Sequence, residues 1–309
     1  MTIEKCFFAG FPLDPADQKR SDDGWLFKKI TDPSSRFLIY VAGRPLMNVA
    51  DGLMPVFKTT EEVSMITGGN WAKTDWVFIG LDGETAFFAV GLPRKPAVAA
   101  HEKFIDLRSV ALQVSTQGFS DMPALLGRGK MLLEWQARRH FCSCCGHRTR
   151  ADHGGYIRKC TNDACGREHF PRTDPVVIML VTSGDKCLMG RGRDWPEGQY
   201  SALAGFMEPG ETIEEATRRE VWEESGIRVG AVRYLKSQPW PFPSSLMIGV
   251  QADALTSEIT IDTNELQDAQ WFDRTSLLNL LEGGGTENIV LPQKIAIARY
   301  LLEHWLQHG

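Results

Sequence analysis

The chain has 309 residues, 43% apolar and 24% charged, with a formal net charge of −5. That length suits about two domains, and the composition is that of a soluble globular protein. The net charge excludes a polyanion-binding body as a whole, and the longest apolar run, Val176 to Val181, is too short to span a bilayer.

The first ten residues carry an early Glu4 and no basic stretch before an apolar core, so a secretory signal is not expected. Arg36–Val41 and Leu46–Val49 read as strands around an Ala42-Gly43-Arg44-Pro45 turn. Trp76–Leu81 and Thr85–Val90 read as a hairpin, with Asp82-Gly83 supplying the positive φ angles of its turn. Met122–Arg139, rich in Leu, Met, Ala and Arg, reads mostly as a helix. Residues 1–136 thus form an α+β domain without a catalytic motif. Val176–Val181 suits a buried strand, and Leu246–Ala252 a second one weakened by Gly249. Gln293–Gln307 is helical in pattern, with Ile297, Leu301 and Trp305 four apart. The chain ends Leu306-Gln307-His308-Gly309, which is not a peroxisomal address.

Five of seven cysteines fall between 142 and 165. An odd total with one tight cluster argues against a secreted disulfide framework and for a metal site in a reducing compartment, so the expected location is cytoplasmic. Cys142-x2-Cys145 and Cys160-x4-Cys165 form two knuckles about fifteen residues apart, the spacing of a zinc ribbon over residues 137–170. Gly146 and Gly166 follow the pairs and relieve backbone strain. The other reading is a set of buried free thiols. Four cysteines close a tetrahedron, so the Zn2+, one per chain, is structural; Cys144 is a bystander. From Arg128 to Arg172 ten Lys or Arg face four Asp or Glu. This basic stretch is either a phosphate-holding surface or an ordinary solvated face.

The most informative stretch runs from Gly205 to Ile227. Gly205 and Gly210 make a pliable loop, Thr212 and Glu215 form a capping box that starts a helix, and Gly226 ends it. Glu220, Glu223 and Glu224 sit at relative positions 0, 3 and 4, on one helix face. Such a cluster repels itself unless cations compensate it, and hard divalent ions such as Mg2+ or Mn2+ bridge carboxylate to phosphate oxygen. Glu211 lies eight residues before Arg219, so an ion pair would pin the loop to the helix. An acidic solvated helix face is the bland alternative. The whole segment fits G-x5-E-x7-R-E-U-x-E-E-x-G-U, with U a bulky apolar residue, at every fixed position. It resembles the Nudix box.

Downstream stands Ser237-Gln238-Pro239-Trp240-Pro241-Phe242-Pro243-Ser244-Ser245-Leu246-Met247. Three prolines make this stretch stiff and extended, presenting Trp240 and Phe242 at little ordering cost. Physics alone leaves open whether they stack on a nucleobase or are buried under a rigid loop. The array after a Nudix box, with a zinc ribbon before it, resembles the NADH pyrophosphatase family. Phe170-Pro171-Arg172-Thr173-Asp174-Pro175 is similar to that family's entry into its first Nudix strand, and the N-terminal third resembles it weakly, around Phe104–Arg108.

The resemblance implies several roles. Glu220, Glu224 and Glu265 match metal-binding glutamates, two to three Mg2+ or Mn2+ ions being held. Glu223 is a further ligand or a base that positions water, and Ala204 offers a backbone carbonyl to metal. Gln238, Pro239, Trp240, Pro241, Phe242, Pro243, Ser244 and Ser245 match the substrate-binding array. Phe206 is placed to stack on a substrate ring, and Ala298 matches a residue near the adenine end. Phe170 stands where some members have Tyr, so only stacking remains there. Ala296 stands where the family often has Ser, and x4 replaces an x2 spacing in the second cysteine pair.

The fold expected is therefore α+β: a Nudix α/β/α sandwich with a mixed sheet over residues 171–309, preceded by the zinc ribbon and the N-terminal domain. The implied reaction is hydrolysis of NADH or NAD+ to NMNH or NMN and AMP, in a homodimer, with NAD-capped RNA as a further substrate. The rivals are the same chemistry on ADP-ribose or a diadenosine polyphosphate, and a non-catalytic nucleotide-sensing regulator. No membrane is a partner in any of these readings.

Overall fold

In a computed structural model, residues 6–50, 52–71, 74–116, 121–283 and 288–308 are described. Residues 1–5 and Gly309, on which part of the terminal readings rests, lie outside the described residues. The chain separates into two units: Phe8–Thr173 with Pro241–Ser244, and Met1–Phe7 with Asp174–Trp240 and Ser245–Gly309. Among the described residues no helix is long and apolar enough to cross a membrane.

Among the described residues the larger sheet of the first unit has seven strands: β1 (Arg36–Val41), β2 (Arg44–Asn48), β3 (Met54–Pro55), β4 (Phe57–Lys58), β5 (Asp75–Asp82), β6 (Thr85–Leu92) and β7 (Glu102–Phe104). Their order is β3-β2-β1-β6-β5, with β4 on β1 and β7 on β2. The central pair, β1 and β6, is parallel. Its core holds an aromatic cluster among aliphatic side chains: Phe37 and Phe88 stack with ring centres 5.2 Å apart, and Phe78 meets Phe88 edge-on. Among the described residues four α-helices accompany the sheet: α1 (Asp23–Ile30), α2 (Thr60–Thr67), α3 (Leu107–Val114) and α4 (Met122–Ala137).

Two turn readings need correction. The first hairpin turns on Ala42-Gly43 alone, both at positive φ (50° and 73°), while Arg44 and Pro45 already belong to β2. Two successive positive φ angles are what a two-residue hairpin demands, because they match the strands' own twist. In the second hairpin Asp82 closes β5, and Gly83 is the residue with positive φ (55°).

A three-stranded antiparallel sheet completes this unit: β8 (Thr149–Asp152), β9 (Ile157–Cys160) and β10 (Glu168–His169), ordered β10-β9-β8.

The second unit contains β11 (Asp174–Ser183), β12 (Lys186–Gly192), β13 (Leu203–Phe206), α5 (Ile213–Ser225), β14 (Val229–Trp240), β15 (Ser245–Ala254), β16 (Leu266–Asp273), α6 (Arg274–Leu281) and α7 (Ile297–His308). Its sheet runs β14-β15-β11-β12-β16, with β13 on β11. β11 and β15 are parallel and the other pairs antiparallel, so the sheet is mixed. Strand alternation sends Val177, Met179, Val181, Val250 and Ala252 to one face, where Ala216 and Val221 of α5 complete the core. Gly249 faces the other way. A β-carbon there would lie 2.8 Å from Ile297 and 3.0 Å from Leu301, so the bare position lets α7 lie against the sheet. The glycine that weakens the strand pattern is thus a packing requirement. The α/β/α layering follows from α5 and α7 covering opposite faces. The C-terminal helix begins at Ile297, four residues later than its pattern suggests, and buries Ile297, Leu301 and Trp305.

Candidate active site and metal centres

Helix α5 forms where the sequence places its signals. Thr212 accepts a hydrogen bond from the Glu215 amide, and Glu215 accepts one from the Thr212 amide, closing the capping box. At the far end Gly226 adopts φ 69° and its amide donates to Trp222 O.

The three glutamates near the end of α5 share a helix face but not an environment. Glu220 and Glu224 are buried, at 9% and 5% exposure, whereas Glu223 stays exposed. Burial raises the Glu220 carboxyl above its usual range. Burial, with the charges of Glu220, Glu265 and Glu223 added, pushes Glu224 up to about 8. Glu265 sits in the turn before β16. Its approach is set by backbone bonds: the Asp262 amide donates to Glu224 O, the Thr260 amide to Ser225 O, and the Glu265 amide to Asp262 O. The chain after β15 therefore satisfies two otherwise unpaired carbonyls at the end of α5 and brings a fourth carboxylate beside the pair.

Arg219 uses all five of its donors. Nε and Nη2 donate to Glu211 at 2.6 and 2.9 Å, Nη1 to Glu220 and Glu223 at 2.8 and 2.9 Å, and Nη2 again to Phe206 O at 2.9 Å. One planar guanidinium thus ties the loop, strand β13 and two helix carboxylates together. Arg219, joined by the Glu208 amide, holds Glu211 down to about 2. The loop-to-helix ion pair anticipated from spacing is formed.

Gly205 plays a different part from the one its neighbourhood suggests. It lies within β13 rather than in a loop, and a β-carbon there would overlap the Glu220 carboxyl group. Its bare α-carbon is the floor on which Glu220 rests. Gly210, at φ 97° with open space around it, does supply the turn. Ala204 and Phe206 flank Gly205 in β13, with Phe206 62% exposed.

The proline-rich array is not one extended loop. Ser237–Trp240 end β14, Ser245 begins β15 opposite Trp240, and Pro241–Ser244 form the turn between them. Gln238 is 1% exposed, and its amide nitrogen donates to Phe7 O and Ile295 O while its oxygen accepts from the Ile297 amide. Those bonds make it an anchor for the start of α7 rather than a group open to a ligand. Ala298 is buried in α7. The Phe242 ring is engaged by Phe8 edge-on at 5.7 Å and by the cations of Arg108 (4.9 Å) and Lys130 (5.5 Å). The residue is half-buried among these contacts. Trp240 is half-buried, and Phe170, beyond β10, is exposed.

Cys142, Cys145, Cys160 and Cys165 converge, with all four sulfurs within 4.8 Å of one another. Cys142 and Cys165 are 3.9 Å apart, and Cys145 and Cys160 3.4 Å. A tetrahedral Zn–thiolate site separates its sulfurs by about 3.8 Å, so the donor set fits zinc. Gly146 and Gly166 take φ of 74° and 54° to turn the two knuckles. The backbone amide of Cys144 favours the Cys142 thiolate, whose pKa falls to about 6, and His169 Nε2 lies 3.3 Å from the same sulfur. Cys144 is exposed and outside the cluster.

Sequence reasoning alone missed the Gly205 floor and the Asp262 turn. Asp262-x-Asn264 carried a local signal, since the Asp262 side chain accepts from the Asn264 amide, but nothing local linked that turn to α5.

Residues 171–292 match the NUDIX domain family, and residues 34–135 match the NADH pyrophosphatase-like rudimentary NUDIX domain. Helix α2 of that second stretch repeats the capping box and the left-handed glycine of α5, yet it spans eight residues with Glu61 and Glu62 in its first turn, so it carries no terminal acidic cluster. The chain is similar to the human NAD-capped RNA hydrolase NUDT12, 35% identical over 99% of this chain and 74% of that protein. It is 37% identical to the NAD-capped RNA hydrolase NudC of Stutzerimonas stutzeri, over 73% of this chain and 75% of that one. It is 34% identical to the human mitochondrial NAD(P)H pyrophosphatase NUDT13, over 80% and 72%.

Proposed function

This chain belongs to the NADH pyrophosphatase family of Nudix hydrolases, and on that premise we propose that it cuts the pyrophosphate bond of NADH or NAD+, giving NMNH or NMN and AMP, and removes NAD caps from RNA. The observation that carries this reading is the buried pair Glu220 and Glu224 with Glu265 beside it. Three carboxylates are held together, and burial with mutual repulsion raises two of them. A fold that accumulates negative charge in this way is built to receive cations.

Glu220, Glu224, Glu265 and the Ala204 carbonyl would hold two or three Mg2+ or Mn2+ ions, with Glu223 as a further ligand. Bound there, divalent ions neutralise the diphosphate and acidify a water. The water oxygen bonds to one phosphorus, the bridging oxygen leaves with the other phosphate, and the proton passes to Glu223, Glu224 or Glu265. Arg219 holds the carboxylates, and Glu211 holds Arg219. Phe206 offers a face to a substrate ring, and Pro239, Trp240, Pro241, Pro243, Ser244 and Ser245 shape the substrate site. Phe170 and Ala298 keep the roles that the family pattern gives them. The cysteine site holds one structural Zn2+. The division into residues 1–136, 137–170 and 171–309, a homodimeric state and a cytoplasmic location are proposed with it.

The test is incubation of the pure protein with Mg2+ or Mn2+ and NADH, followed by chromatography. AMP and NMNH are expected, and both should vanish with chelator and in Glu220→Gln. Cleavage of ADP-ribose or a diadenosine polyphosphate without NADH cleavage would overturn the substrate, and no cleavage of any would overturn the enzyme.

A further inference from the structure

The turn Pro241–Ser244 packs with the first unit, the one that contains the rudimentary NUDIX domain. A buried lysine holds it there. Lys130, in the middle of α4, is 7% exposed, and its Nζ donates to Pro241 O at 2.9 Å and to Glu134 Oε2 at 2.8 Å. The same ammonium lies 5.5 Å from the centre of the Phe242 ring, within cation–π range.

A buried ammonium is costly unless its donors are met. Here one donor goes to a carboxylate one helical turn on, one to a backbone carbonyl, and the charge faces an aromatic ring. A bare position in the β1–β2 turn leaves room for this arrangement: Gly43 has no side chain where Glu134 lies, and a β-carbon there would overlap its carboxylate. A backbone carbonyl fixes position more rigidly than a side chain does, because it has no rotamers to lose.

We propose that Lys130 is a positioning residue for the dinucleotide site. Braced by Glu134, it clamps the Pro241–Phe242 turn and so holds that part of the substrate array in place. The inference rests on the proposed assignment of the Pro239–Ser245 segment to substrate binding.

The test compares the wild type with Lys130→Met, Lys130→Arg and Glu134→Gln as full-length, zinc-loaded proteins, measuring kcat and KM for NADH, the Mg2+ half-saturation and Tm. Lys130→Met should raise KM about tenfold with kcat and Mg2+ half-saturation little changed, the pattern of lost ground-state binding. Lys130→Arg should restore most of the affinity, and Glu134→Gln should raise KM by a smaller factor. A general loss of structure would lower kcat and Tm together and would not be rescued by arginine. A folded Lys130→Met with wild-type KM overturns the inference. If that variant does not fold, an unchanged KM in Glu134→Gln overturns it. A wild type that does not cleave NADH at all sinks the proposed function instead.

Discussion

The carboxyl group of Glu220 lies over the bare α-carbon of Gly205, filling the space where any other residue's β-carbon would stand. The acidic helix and strand β13 are thereby matched at one point: the strand lacks a side chain where the helix inserts a buried carboxylate. Gly205 is in strand conformation, so alanine meets no backbone penalty there. Its methyl must displace Glu220. Gly205→Ala should therefore fold, with Tm within a few degrees of wild type, and lose turnover by about a hundredfold, as misplacement of a catalytic group does. Steady-state NADH hydrolysis alongside thermal unfolding separates the two effects, and full activity in Gly205→Ala would refute the steric argument.

Glu211 gives a pH prediction with a definite sign. Its folded-state pKa, about 2, lies below the ordinary value of 4.5, with Arg219 as the main cause. A depressed carboxyl contributes stability above its unfolded pKa and loses that contribution as pH falls through the folded one. The difference in urea midpoint between wild type and Glu211→Gln should be full at pH 7, begin to shrink near pH 4.5 and close towards pH 2. A gap that widened in acid would contradict the ion pair.

Gln238 should behave as a structural residue. Alanine there strands Phe7 O, Ile295 O and the Ile297 amide, all buried, at a cost of about 2–4 kcal/mol. Chemical denaturation should report that loss. The KM of the fraction that remains folded should stay close to wild type; a raised KM without lost stability would restore Gln238 to the substrate site.

The cysteine geometry sets four converging thiols apart from Cys144. Elemental analysis should find one zinc per chain in wild type and Cys144→Ser, and none in Cys160→Ser. Because a closed site ties metal binding to folding, Cys160→Ser should also melt at a lower temperature. Loss of zinc in Cys144→Ser would redraw the ligand set.

Much of the site was legible in the chain because its signals are local. The Thr212 cap, the Gly226 stop, the 0, 3, 4 spacing of the glutamates and the cysteine knuckles each act within one or two turns of backbone, where steric and hydrogen-bonding rules need no distant partner. The Glu211–Arg219 pair was legible for the same reason, since a loop entering a helix has few places to go. The turns were less so: Asp82-Gly83 and Ala42–Pro45 differ from the observed turns by one or two residues, because a hairpin's register is settled by cross-strand pairing.

By itself the sequence determined the type of chemistry: an acidic helix behind a glycine loop, and four thiols at ribbon spacing. Tertiary structure alone decided which groups share an environment. It separated exposed Glu223 from buried Glu220 and Glu224, brought Glu265 in through a turn bonded to the end of α5, and turned Gly205 from a hinge into a floor. It also withdrew Gln238 into packing and gave Lys130 a carbonyl to hold. The physical reason is the same in each case. Burial and close approach depend on residues far apart in sequence, and the charge state of a carboxylate or the freedom of an aromatic face follows from what surrounds it once the chain has folded.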